Sequence, residues 1–282
     1  MIAESPDIIT QHITDSRAID FPCLTTGWVC EYELPRWHPV QIGSYSVDLS
    51  PTKHVVMLLI AATLCLVTLL LAARSHRRHA AEGKAPKGFA NGMEALVLYL
   101  RQEVVLPNVG HHGERYVSFI LTLFFFILFA NLLGLIPYGS TATGNISVTA
   151  TLAIISFVMI EIAGMRTLGR NYIKTIVYWP SDQPFLMKAM LTPLLTPIEL
   201  ASKFTKPFAL AIRLFANMTA GHIVVLALLG LIFTFGSYFI APAPFIGALA
   251  IMLLEIFIAF LQAFVFALLT SVFVGLIREG AH

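Results

Sequence analysis

The chain has 282 residues, of which 57% are hydrophobic and only 12% charged, with a formal net charge of +2 and a mean hydropathy of +0.79. A soluble domain carries roughly a quarter of its residues as charges, so these totals exclude a water-soluble enzyme and describe an integral membrane protein. No basic cluster is interleaved with stacking aromatics, so no nucleic-acid partner is expected, and Cys23, Cys30 and Cys65 have no metal-ligand spacing.

Residues 1–50 mix Pro, Trp and His without lasting periodicity and read as an N-terminal periplasmic tail; residues 51–282 read as the membrane domain. The opening lacks a charged n-region followed by an apolar h-region, so no signal peptide is expected. Cys23 and Cys30 either pair in an oxidising space or remain free thiols. The first apolar run, residues 53–73, is long enough at ~1.5 Å per residue to cross a ~30 Å core. Arg74-Ser-His-Arg-Arg-His79 follows, with Lys84 and Lys87 close behind. By the positive-inside rule this loop is cytoplasmic and the amino terminus lies outside.

Residues 89–106 set Met93, Leu96, Val97 and Leu100 against Glu94, Arg101 and Glu103 at helical spacing. That pattern is too polar to span and predicts an amphipathic helix on the cytoplasmic membrane surface. A second span covers residues 116–137 and contains Asn131; the loop after it is uncharged, as an outer loop should be. A third span, residues 147–165, returns inward to Arg166, Arg170 and Lys174, with Glu161 expected at the inner interface. Residues 171–192, with Trp179-Pro-Ser-Asp-Gln-Pro184 and Lys188, read as a surface loop with a short interfacial segment.

Two helices close the chain, residues 193–235 and 245–277, with an uncharged turn between them and a cytoplasmic carboxyl terminus. Of the 18 Lys and Arg, 7 lie in residues 74–115 and 6 in 166–206, while the two outer loops have none. The apolar part of the first helix would measure about 43 Å and the second about 50 Å. Both exceed the core, so both are expected to tilt strongly. The expected fold is an all-α integral membrane protein with about five transmembrane helices and one surface helix.

Arg213 sits deep in the first of these two helices, where a charge costs about 3 kcal/mol on insertion scales. Arginine cannot shed its proton, since its pKa stays above ~12. Snorkelling to the interface is the alternative, and it is strained because some twenty mostly apolar residues follow. Glu199, Ser202, Lys206, Arg213, Asn217 and Ala220 fall within about 40° of one direction, a polar stripe that suits a partner or water. In the last helix Glu255 and Gln262 are seven residues apart and project alike. In an antiparallel hairpin Gln262 comes level with Arg213, and Glu255 with His222.

His222 lies about 180° around the helix from Arg213. It is therefore read as a lateral pair with Glu255, lining a water-accessible pocket behind the arginine. Glu199 marks the cytoplasmic start. Titratable groups on both sides of a fixed positive charge suit two proton half-paths with a barrier between them. A proton-coupled secondary transporter is the alternative; it would be expected to show internal repeats and paired broken helices, which the sequence lacks. A membrane-embedded hydrolase would need a nucleophile level with His222 and Glu255, and none is placed there.

The run Phe208-Ala-Leu-Ala-Ile-Arg213-Leu-Phe-Ala-Asn217-Met-Thr-Ala-Gly-His222 resembles the signature of subunit a of the F-type ATP synthase. So do Ser50-Pro-Thr-Lys-His-Val-Val56, Asn131-Leu-Leu-Gly-Leu-Ile-Pro137, and Glu255 through Gln262-Ala-Phe-Val-Phe266. The resemblance covers about residues 45–278 and leaves the first 45 residues and much of 171–190 uncovered. It implies a proton-translocating subunit, without a cofactor, whose Arg213 faces the carboxylates of a rotating c-ring. It also implies b-type peripheral stalk subunits and a bacterial inner membrane around it. Glu199 would belong to the cytoplasmic half-channel, His222 and Glu255 to the outer one, and Asn217 and Gln262 would neighbour the arginine. Asn131 would support the site. Some bacterial relatives carry the acid and the histidine exchanged; the arrangement here resembles the mitochondrial version. No G-x-x-x-x-G-K-[ST] loop occurs, so nucleotide chemistry would belong to other subunits.

Overall fold

In a computed structural model, residues 15–22, 29–42, 45–48, 50–81, 88–110, 113–136, 141–175, 185–235, 239 and 241–279 are described. Cys23, Lys84, Lys87, the Trp179 loop and the turn at Gly236 lie outside them. The elements in order are strands β1 (Ala18–Pro22), β2 (Val29–Glu33), β3 (Val40–Ile42) and β4 (Tyr45–Val47), then helix α1 (Lys53–Ala81). Helix α2 (Phe89–Tyr99) continues through a π-helical turn, Leu100–Val105, into the short α3 (Leu106–Val109). Helix α4 (Glu114–Gly134), a 3-10 turn at Ala142–Gly144, α5 (Ile146–Leu168) and a second 3-10 stretch, Gly169–Thr175, lead to α6 (Phe185–Phe235) and α7 (Pro242–Glu279). Among the described residues, five helices are long and apolar enough to cross a membrane: α1, α4, α5, α6 and α7.

The predicted spans are present with different ends. Helix α1 runs on to Ala81, so the arginine cluster is helical. Helix α6 starts at Phe185 and absorbs Pro193, Pro197 and Pro207. Each proline removes one i→i−4 donor, a loss that helices in a membrane tolerate when neighbouring groups satisfy the freed carbonyls. The tail, which shows no lasting periodicity in sequence, forms two hairpins: β1 against β2 from Ala18↔Glu33 to Pro22↔Val29, and β3 against β4.

The chain packs as two compact units. The first combines residues 1–70, 125–145 and 214–262. In it the tail is tied to the start of α1: the backbone N–H of Lys53 donates to the Ser16 carbonyl at 2.9 Å. The His54 N–H donates to Asp15 Oδ1 at 3.3 Å, so Asp15 caps the helix from a distant segment. Arg17 pairs with Asp48. Asn131, fully buried, donates its amide to the Ala259 carbonyl of α7 at 3.2 Å and accepts the Thr143 hydroxyl at 2.7 Å. The Thr219 hydroxyl of α6 donates to the Gly144 carbonyl at 3.5 Å, so this loop is fixed to α4 and α6, and Asn131 ties α4 to α7.

The second unit combines residues 71–124, 146–213 and 263–282. Its buried stripe on α7 runs Phe266, Thr270 and Val274, the i, i+4, i+8 repeat of one helix face. At Gly275 a side chain would collide with the Asn108 carbonyl, a close approach that only glycine permits. Arg278 then donates to the Val109 carbonyl at 2.6 Å and lies over the Tyr116 ring, 5.6 Å from its centre. Together these contacts hold the end of α7 to α3 and α4.

Candidate functional site

On α6 the buried side is Leu210, Ala211, Leu214 and Met218, which turns Arg213 to the exposed side. Ala209, Ala216 and Ala220 share that exposure; at four, three and seven residues from Arg213 they form one strip with it. Phe208 is 64% exposed and Ile212 40%, so the charge stands within an apolar surface. Asn217 follows one turn later and is half-buried. Glu199, toward the start of α6, is exposed.

On α7 the spacing works the other way. Glu255, Ala259, Gln262 and Phe266 are buried, while Leu253, Phe257, Phe260 and Leu261 are exposed. The two polar residues thus lie on the packed stripe. His222 Nδ1 stands 3.8 Å from Glu255 Oε1, with the carboxylate side chain 6% exposed and the imidazole 22%. Neither of these two atoms has a hydrogen-bond partner among the described residues. The separation exceeds a hydrogen bond, so a proton crosses it only after a small side-chain movement or through one water. Gly221 makes the approach possible: a Cβ there would overlap the Glu255 carboxylate and lie 2.9 Å from its Cδ.

Glu161, expected at the interface, is instead turned inward. Its carboxylate pairs with Lys203 Nζ at 3.3 Å, and the two side chains are 14% and 12% exposed. Lys203 also donates to Thr175 Oγ1 at 3.2 Å and lies 4.8 Å from the centre of the Tyr172 ring. An acid in one apolar span and a base in another was the available signal for this pair. His54, assigned no role from the sequence, is 2% exposed. A histidine at the mouth of an apolar run was the signal there.

These features define a polytopic membrane protein that keeps ionisable side chains at fixed places within apolar helices. The family model described as ATP synthase A chain matches residues 55–275. An ATP synthase subunit a of Chloroherpeton thalassium is 44% identical over 266 residues, 94% of this chain and 74% of the relative. That of Anaeromyxobacter dehalogenans is 40% identical over 279 residues, 97% and 71% of the two chains. An ATP synthase subunit a 2 of Chlorobaculum tepidum is 43% identical over 277 residues, 96% and 72%. The chain belongs to the ATP synthase subunit a family.

Proposed function

We propose that the chain conducts protons through two offset half-paths and converts their flow into rotation of a neighbouring c-ring. The observation that carries this reading is the place of Arg213: an undismissable charge, exposed on an apolar helix surface beside a strip of alanines. Small side chains let a partner helix come close. A deprotonated ring carboxylate, costly in lipid, is stabilised when it passes the guanidinium. A protonated one is stable in lipid and gains nothing there. The ring therefore exchanges its proton on each side of Arg213, and the membrane field biases the direction by about 2.3 kcal/mol per charge per 100 mV.

His222 and Glu255 serve the outer half-path, and Glu199 the cytoplasmic one. Asn217 and Gln262 are polar neighbours of the passing carboxylate. Asn131 holds the turn of α7 at Ala259, between Glu255 and Gln262. The arginine cluster after the first span sets the amino terminus outside and the carboxyl terminus in the cytoplasm. The relatives come from bacteria, which suits a bacterial inner membrane. The b-type stalk subunits would hold the chain against the ring.

The pair is tested by His222→Ala and Glu255→Gln, singly, and by the exchange His222→Glu with Glu255→His. Each single change should slow proton-driven ATP synthesis between about ten- and a hundredfold while the subunit stays in its complex. The exchange should recover part of the rate. Undiminished synthesis in both single variants would overturn the outer half-path.

A further inference from the structure

The turn of α1 that enters the apolar run carries an ionisable group that the half-paths above do not use. His54 Nδ1 stands 3.5 Å from Asp15 Oδ1 and 3.1 Å from Asn145 Nδ2. Its Nε2 is buried without a hydrogen-bond partner among the described residues. Two charges act on the ring among the described residues, the Asp15 carboxylate and the adjacent Lys53 ammonium. Asp15 is 30% exposed and the His54 side chain 3%, so the carboxylate joins solvent to a ring that solvent does not reach. Asn145 directly follows Gly144, whose carbonyl accepts from Thr219, and Thr219 lies three residues before His222, on the same side of α6. One loop therefore links the His54 ring to the turn that bears the His222–Glu255 pair. A buried polar atom without a partner needs explaining in a packed protein, and an imidazole is the side chain best suited to take up and release protons near neutral pH.

We propose that His54 is the entry group of the outer half-path: it takes protons from the solvent side through Asp15 and passes them toward His222 and Glu255. The inference rests on the half-path reading above. In the neutral ring the Asn145 amide donates to Nδ1, which places the ring proton on Nε2. A proton handed over by Asp15 binds Nδ1, and the resulting imidazolium is held by the Asp15 carboxylate and by the Asn145 amide turned to present its oxygen. The ring then releases its Nε2 proton on the buried side. One proton is gained at Nδ1 and one lost from Nε2, which leaves the Nδ1–H tautomer; transfer of that proton from Nδ1 to Nε2 through water restores the starting tautomer. If His54 only pinned the tail to α1, a neutral amide of similar size would serve equally well.

The test uses the whole ATP synthase in inverted and right-side-out vesicles, with proton-driven synthesis followed against outer pH at constant total driving force. His54→Gln should lower the rate about tenfold, with a larger deficit as the outer pH rises. His54→Ala should do the same and recover in part with imidazole, at a concentration that leaves the unmodified complex unchanged. Asp15→Asn keeps the ring in place and should move the fall in rate to lower outer pH by about one unit. It decides the matter alone if either His54 variant fails to assemble. An unshifted profile in Asp15→Asn, or a normal rate in His54→Gln, overturns the proposal. Arg213→Ala, measured in parallel, separates the two readings: if it is inactive while the His54 and Asp15 variants behave normally, only the entry role fails.

Discussion

Gly221 gives up helix stability to let a carboxylate approach. Glycine inside a helix costs about 1 kcal/mol relative to alanine, yet a Cβ here would overlap the Glu255 carboxylate. Gly221→Ala should therefore slow proton-driven synthesis about tenfold, although it favours the helix. A rate equal to that of the unmodified complex would show that the 3.8 Å approach of His222 to Glu255 is incidental. Asn131→Leu should cost about 1–3 kcal/mol, because the Thr143 hydroxyl is left buried and unsatisfied; the midpoint of thermal unfolding of the purified complex reads this. At this scale the sequence was informative where helical geometry suffices. The antiparallel register placed His222 level with Glu255, and a spacing of seven put Glu255 and Gln262 on one face. The contact at Gly221 and the burial of His54 depend on how closely elements approach, which no periodicity encodes.

Helix α6 shows why element ends were harder to read than their existence. The expected start at residue 193 falls on a proline; the helix runs through it from Phe185, which a soluble helix seldom does. The hairpins of the tail escaped notice because strands of 3 to 5 residues are too short for an alternating pattern to stand out. Asp48 adds a pH signature to that tail. Hydrogen bonds from the Ser50 hydroxyl and backbone, together with Arg17, hold its carboxyl below the ordinary range. A depressed acid contributes stability that is complete above its unfolded value and is lost as pH falls through the folded one. The tail should therefore keep its protection from proteolysis through mildly acid conditions and lose it below the usual carboxylate range; loss near neutral pH would contradict this. In the second unit, Glu161→Gln strands the Lys203 ammonium and should cost about 3 kcal/mol, whereas Glu161→Leu with Lys203→Met should recover most of it. Thermal unfolding of the complex distinguishes the two.

For the molecule as a whole, the composition carried the class and the apolar runs carried the five spans; the family match over residues 55–275 agrees with the first, and the five helices long and apolar enough to cross a membrane agree with the second. Orientation is a separate claim with its own check. Trp37 and Arg77 are exposed on opposite sides of the first span in sequence. With Cys23 and Cys30 replaced by Ser, Trp37→Cys should react with an impermeant maleimide from outside only, and Arg77→Cys from the cytoplasmic side only. The reverse pattern would invert the topology and exchange the two half-paths.

The central claim is that Arg213 separates the half-paths while letting an ionised ring carboxylate pass. Arg213→Ala removes the barrier, so vesicles stripped of the catalytic sector should become passively leaky to protons while intact ones lose coupled synthesis. Arg213→Lys keeps a charge, but as a compact ammonium that can lose its proton when buried; it should leak less than the alanine variant and still fail to couple. The deciding measurement is passive proton conductance of the stripped Arg213→Ala vesicles beside ATP synthesis in the intact ones. The account predicts high conductance and no synthesis. Tight vesicles that make ATP at the normal rate would contradict it.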